Sequence, residues 1–303
     1  MNHTMMRPLI FGEVLFDRFP DGSVVLGGAP FNVAWHLHAF GLKPLMISRI
    51  GRDALGSRVE AAMHDWGMDC SGMQTDNVHP TGTVEVSFVE GEPSYDIAQA
   101  VAYDFIDAAR LPQQADGEWL LYHGSLALRN PCSAAALAKL EEQTACCRFV
   151  DINLREPWWQ RDAVLAMMKG AAWLKLNEAE LAEICPEATN SAQRIDQVAT
   201  MISQHIVLTG GERGATAISS VDGSRHAVVP ERVSSVLDTV GAGDAFCSVF
   251  VAGRLLGWPI DLSMQRAQAF ASAVVGIRGA TAHDRAFYRQ FTREWGIKGD
   301  HDV

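Results

Sequence analysis

Seven residues near the end of the chain, Asp238-Thr239-Val240-Gly241-Ala242-Gly243-Asp244, combine small side chains with carboxylates in a pattern suited to handling charge. A helix-compatible run, Ala245-Phe246-Cys247-Ser248-Val249-Phe250, follows directly. Small residues at 241–243 let a backbone come close to a phosphate, and the N–H groups opening a helix point at it, so the turn can cradle transferring charge. A carboxylate at Asp244 then stands beside the reacting group and can take the proton of an attacking hydroxyl. The same residues also suit a plain glycine turn whose Asp244 caps a helix. The pattern is not a dinucleotide G-x-G-x-x-G, since Phe246 takes the third glycine position, and it is not a Walker loop, since no Gly-Lys-Ser/Thr follows.

A second constellation, Gly27-Gly28-Ala29-Pro30-Phe31-Asn32-Val33-Ala34, lies at the join between a hairpin and a helix. The glycines permit a close turn, and Asn32 presents a donor and an acceptor to a polyol, or else serves the helix start. Arg155, in Asp151-Ile152-Asn153-Leu154-Arg155, can reach a phosphate or an acidic sugar, or pair with a structural acid.

The elements around these residues follow from periodicity. Leu9 to Phe16 reads as one buried strand, ending at Asp17 and a Pro20-Asp21-Gly22 turn. Phe31 to Phe40 has helical spacing and stops at Gly41; Leu45 to Ile50 is a strand, and Ala54 to Trp66 a helix stopped by Gly67. Thr83 to Val89 alternates as a half-wet strand, and Glu90-Gly91-Glu92-Pro93 turns it into Ser94 to Ile97. From Trp119 strands and helices alternate: strands at 120–123, 149–152, 173–176 and 205–209, and helices near 133–144, 161–169, 178–185 and 191–203. Strands are expected within 215–230, and helices over 243–257 and 262–276. This alternation predicts an α/β fold with a mainly parallel sheet covered by helices on both faces.

The composition of the 303 residues is 48% apolar and 20% charged, an ordinary globular balance. A net charge of −11 argues against a general nucleic-acid or anionic-membrane surface, so an anionic substrate must be gripped locally. Six cysteines show no C-x-x-C pair and no metal-ligand spacing, and no run approaches a membrane span or a signal peptide. The cytoplasm is the expected address.

The two constellations together resemble the PfkB, or ribokinase-like, carbohydrate kinases, which carry GG-x-x-x-N-x-A early and D-T-x-G-A-G-D late. The resemblance covers nearly the whole chain. It implies a single ribokinase-like domain over 1–303, whose lid segments, about 12–28 and 83–98, form a small β-sheet over the sugar, and a homodimer paired through such lids. It implies an ATP-dependent sugar kinase with Asp244 as base and Gly241, Ala242 and Gly243 as anion hole. Asp17, Gly27, Gly28, Asn32, Tyr95, Ile97, Asn153 and Arg155 become the sugar side. Asn177 and Glu180 match the family's N-x-x-E element, thought to organise Mg²⁺ and phosphate through water. Thr209, Gly211 and Gly214 match its T-x-G-x-x-G nucleotide turn, and Gln268 stands where many relatives have an adenine-proximal Asn. A monovalent cation such as K⁺ would map onto Asp238 and the carbonyls of Val240, Val274, Ile277 and Gly279. Glu13 to Asp17, Gly27 to Pro30 and the D-x-N-x-R segment with Trp158-Trp159 resemble the bacterial fructokinase branch most, so fructose is the expected acceptor. 2-Keto-3-deoxygluconate, ribose and a nucleoside are the alternatives. A nicotinamide oxidoreductase and a silent sugar-binding protein rank lower.

Overall fold

The computed structural model describes residues 6–89, 92–113, 117–230 and 237–297. The chain starts with β1 (Arg7–Phe11), β2 (Leu15–Arg18), β3 (Val24–Gly27), α1 (Ala29–Ala39), β4 (Leu45–Gly51) and α2 (Ala54–Trp66). Next come β5 (Met73–Asp76), β6 (Gly82–Val89), β7 (Glu92–Ile97), β8 (Trp119–His123), α3 (Pro131–Gln143) and β9 (Cys146–Asp151). Then follow α4 (Arg161–Met168), β10 (Trp173–Asn177), α5 (Glu178–Ile184), α6 (Ser191–Ala199), β11 (His205–Thr209), β12 (Ala215–Ser219) and β13 (Arg225–Val228). Three helices close the described chain: α7 (Ala242–Leu255), α8 (Ile260–Val274) and α9 (Arg285–Trp295).

Among the described residues, nine strands form the main sheet in the order β13-β12-β11-β10-β9-β8-β1-β4-β5. It is parallel from β5 through β11, and β12 and β13 are antiparallel additions at one edge. Alternation along β1, covered on both faces after the exposed Arg7, explains why Pro8 to Phe11 are all apolar. Ile10 packs with α1 and α7 residues on one face, whereas Leu9 and Phe11 pack with α3 on the other. Leu174 and Leu176 of β10 likewise meet α4, α5 and α6, which leaves Trp173 and Lys175 on the face of α7.

The run 9–16 is not one strand. Gly12 breaks it at φ 148, and a side chain there would lie 2.5 Å from the Pro30 ring. After Glu13 and Val14 the chain re-forms as β2 in a separate four-stranded sheet ordered β3-β2-β6-β7. Both expected hairpins are present, and parallel pairing of β2 with β6 fuses them. Glu90 and Gly91, at the tip of the expected segment 83–98, lie outside the described residues. Asp17 sits within β2, paired with Val25 and Val84, rather than at the end of a strand of the main sheet.

β5 and α9 went unread in the sequence. β5 is the polar stretch Met-Gln-Thr-Asp, which carries no strand pattern, whereas α9 buries Tyr288, Phe291 and Trp295 at helical spacing.

Candidate active site

Several candidate residues lie at the C-terminal ends of the parallel strands. Glu13 follows β1, Asn153 and Arg155 follow β9, Asn177 ends β10 and Thr209 ends β11. Sequence order reverses direction between β1 and β8, and crevices for ligands form outside the carboxyl ends at such a point.

α7 opens at Gly241, which is left-handed at φ 80, and a Cβ there would strike Ala280 at 2.3 Å. The turn therefore requires glycine, and Asp244 lies in the first helical turn rather than at the cap. Asn32, 4% exposed, occupies the first turn of α1, whose cap is Gly28. Its amide Nδ2 donates to Asp244 Oδ2 at 2.8 Å. These contacts replace the capping alternatives for both residues.

Of the residues expected on the sugar side, Asp17 and Asn32 meet at Gly27. A Cβ on Gly27 would stand 3.5 Å from Asp17 Oδ2 and 3.9 Å from Asn32 Oδ1, so both oxygens meet over one glycine. Asn32 Oδ1 is buried without a protein partner among the described residues. Burial pushes Asp17 up to about 6, opposed by the positive charge of Arg155. Asp244 is also raised, first by burial, and the Asn32 bond pulls it back. The positive charge of the exposed Arg155 also pulls down Asp244 and Tyr95, the latter half-exposed on β7. Ile97 is buried in the apolar cluster under the small sheet, with Leu15 and Val84. Asn153 adopts left-handed backbone at φ 45, where the chain leaves β9.

Where β10 runs into α5, Asn177 and Glu180 form a capping box. Asn177 Oδ1 accepts from the Glu180 N–H at 2.9 Å, and Glu180 Oε2 accepts from the Asn177 N–H at 2.8 Å. Glu180 Oε1 takes the Leu154 N–H at 2.9 Å, so this carboxylate ties the loop after β9 to the start of α5. Burial raises its pKa, with Lys175 acting in the other direction. Thr209, Gly211 and Gly214 form the turn between β11 and β12. Gly214, at φ 86, lies against the Val228 carbonyl so closely that a Cβ would come within 1.9 Å of it. Gln268 lies on α8, which packs against β12 and β13, and donates to Ser272 Oγ at 3.3 Å.

Asp238 joins two loops: Oδ1 accepts from the Val240 N–H at 2.9 Å and Oδ2 from the Gly279 N–H at 3.0 Å. Val240, Ile277 and Gly279 are thereby held beside the end of α8, where Val274 lies. Among the described residues no group of three or more His, Cys, Asp or Glu forms a metal cage.

Two site residues escaped the sequence reading. Glu13 is 3% exposed, its Oε2 lacks a partner among the described residues, and burial lifts its pKa to about 7. Lys175 is buried beneath the α7 turn. Each left a trace as a single charge inside an apolar run.

Phosphoryl transfer to a hydroxyl is the chemistry this arrangement can perform, with the α7 turn receiving the moving charge and Asp244 the proton. The chain belongs to the pfkB family of carbohydrate kinases, whose sequence model matches residues 7–285. As a member it is an ATP-dependent sugar kinase. It is 27% identical over 304 residues to a fructokinase of Salmonella typhimurium, covering 93% of this chain and 98% of that one. It is 29% identical over 261 residues to a fructokinase of Klebsiella pneumoniae, covering 80% and 83%. Its fold matches that of a Vibrio cholerae O395 fructokinase solved with fructose, ADP and calcium ion, with a TM-score of 0.81 and 24% identity over 94% of this chain and 98% of that one. No helix among the described residues is long and apolar enough to cross a membrane.

Proposed function

We propose that this protein phosphorylates fructose, using the Mg²⁺ complex of ATP as donor. The observation that carries the reading is the convergence of Asp17, Asn32 and Asp244 oxygens and amide at the mouth of the α7 turn. A polyol offers alternating hydroxyls to such a set, and the fructokinase relatives favour fructose among polyols.

In the step proposed, Asp17 and Asn32 hold the sugar with one hydroxyl toward Asp244. The hydroxyl oxygen bonds to the γ-phosphorus as the bond from that phosphorus to the β–γ bridging oxygen breaks. The hydroxyl proton passes to the Asp244 carboxylate, and ADP leaves with the electron pair of the broken bond. The N–H groups at Gly241, Ala242 and Gly243 receive the charge of the moving phosphoryl group. Asn177 and Glu180 stand on the phosphate side, where Glu180 would reach Mg²⁺ through water. Thr209, Gly211, Gly214 and Gln268 flank the nucleotide. A monovalent cation fits Asp238 and the carbonyls of Val240, Val274, Ile277 and Gly279, an all-oxygen set, and would add positive charge beside the anion turn. The small sheet would close over the sugar as a lid and, paired with that of a second copy, make a homodimer.

The test is a comparison of phosphorylation rates on fructose, ribose, 2-keto-3-deoxygluconate and adenosine, with and without K⁺. A kcat/KM highest for fructose supports the reading. A higher value on another acceptor reassigns the sugar but leaves the kinase class standing.

A further inference from the structure

The residues beneath the α7 turn form a polar knot in an otherwise apolar core. Asp151, at the end of β9, is 1% exposed, and its Oδ2 accepts from the Tyr122 hydroxyl at 3.0 Å and from Cys247 Sγ at 3.2 Å. Lys175 on β10 is 8% exposed, and its Nζ donates to Asp151 Oδ1 at 2.9 Å and Oδ2 at 3.1 Å. Burial opposes the charge of Lys175, and the adjacent carboxylate keeps it ionised. A Cβ built on Gly243 would touch this Nζ at 3.6 Å, so the ammonium lies directly against the anion turn.

Stability does not explain this placement. A buried ion pair repays its desolvation poorly, and apolar residues of similar volume commonly do as well. The position is also unfavourable for a lone cation, because an ammonium here meets the positive end of a 14-residue helix. Two like charges converging on one spot become favourable when an anion sits between them. An ammonium has three N–H donors, of which Asp151 takes at most two, so one remains.

We infer that Lys175 is a further catalytic residue, whose ammonium, fixed by Asp151, contacts the transferring phosphoryl group against Gly243. The inference rests on the kinase reading above. Lys175 keeps its proton throughout and contributes charge alone. Asp151, Tyr122 and Cys247 are positioning residues: they hold the ammonium at one point and keep it from following the product. Asp244 feels the same knot, since Lys175 lowers its pKa while Asp151 raises it.

The experiment compares the wild-type protein with K175M and with the double variant D151N/K175M, which removes both buried charges together and leaves neither unpaired. Binding of ATP and of ADP is measured by calorimetry without sugar, then kcat and sugar KM in the coupled assay. The expected result is a double variant that melts near the wild-type temperature and binds ADP within about twofold. Its ATP affinity should fall about tenfold and its kcat about 10²–10³-fold, with sugar KM nearly constant. A folded double variant with wild-type kcat and an unchanged ATP-to-ADP affinity ratio would overturn the inference, leaving Lys175 as a mere partner for Asp151. Should the double variant fail to fold, K175R and K175Q decide at equal folded fraction: retained ATP preference in K175R and its loss in K175Q supports the inference, and equal behaviour refutes it. The nucleotide ratio needs no acceptor, so it tests Lys175 even if none of the four sugars is phosphorylated, a result that would sink the kinase reading instead.

Discussion

Asn32 and Asp244 are 212 residues apart in the chain and are joined by a 2.8 Å bond from the Asn32 amide to Oδ2 of the carboxylate. The first turns of α1 and α7 are thereby locked to each other. In the proposed reaction, a sugar held by Asn32 would by the same contact be held against the group proposed to take its proton.

Asp244→Asn keeps the shape of the side chain and removes its ability to accept a proton. The expected outcome is a kcat lower by about 10²–10⁴-fold with sugar affinity and melting temperature nearly unchanged. Steady-state kinetics beside a thermal melt check this, and near-normal turnover would remove Asp244 from the role of base.

Asn32→Ala removes the donor that favours the ionised form of Asp244, whose pKa burial already raises. The carboxylate must be ionised to act, so activity rises with pH through its pKa. The variant should therefore show the acid limb of its kcat profile moved to higher pH, together with a raised sugar KM. An unmoved limb would mean that the bond does not tune the base.

Glu13 is raised from 4.5 to about 7 by burial, so the native state holds its proton more tightly than the unfolded chain does. Stability from this source is full below about pH 4.5 and is lost as pH climbs through about 7, a change of about 3 kcal/mol. Glu13→Gln is neutral at every pH and should flatten this decline, making the ligand-free variant more stable than wild type at pH 8. Denaturant melts at pH 4.5 and pH 8 measure the difference directly.

Gly214 and Gly211 share positive φ but not surroundings. Gly214→Ala drives a methyl into the Val228 carbonyl, whereas at Gly211, φ 59, nothing lies within 4 Å. Gly211→Ala should cost only about 1 kcal/mol of backbone strain. Gly214→Ala should lower the melting temperature further and weaken ATP binding at least tenfold, and equal effects of the two would contradict the geometry of the turn.

The α/β alternation and the Asp238 to Asp244 turn were legible because both depend on local residue type. Small residues before a helix and apolar runs of strand length mean the same thing in most contexts. Glu13 and Lys175 were not, since a single charge within an apolar run reads equally as a wet strand face. Only the packing of α7 over β10 shows that Lys175 faces inward. The break at Gly12 was hidden too, because the reason for it is the Pro30 ring, brought close by the fold. In α9 the spacing of Tyr288, Phe291 and Trp295 was present to be read, set among charged residues that masked it.

The packing of α1 on α7 has a consequence for how the molecule is made. Phe31, Trp35 and Leu37 are buried in a cluster that also includes Val249, Phe250 and Phe270. During translation at about 5–20 residues per second, α1 waits roughly 10–40 s for its partner to leave the ribosome. Through that interval β1, β4 and Trp66 of α2 can already pack on α1, but the part of its apolar face that α7 and α8 cover stays open, which exposes the nascent chain to aggregation and to chaperones. Phosphoryl transfer can begin only after most of the polypeptide has been synthesised, so a truncated product carries the sugar-side turn without the carboxylate that would act on it.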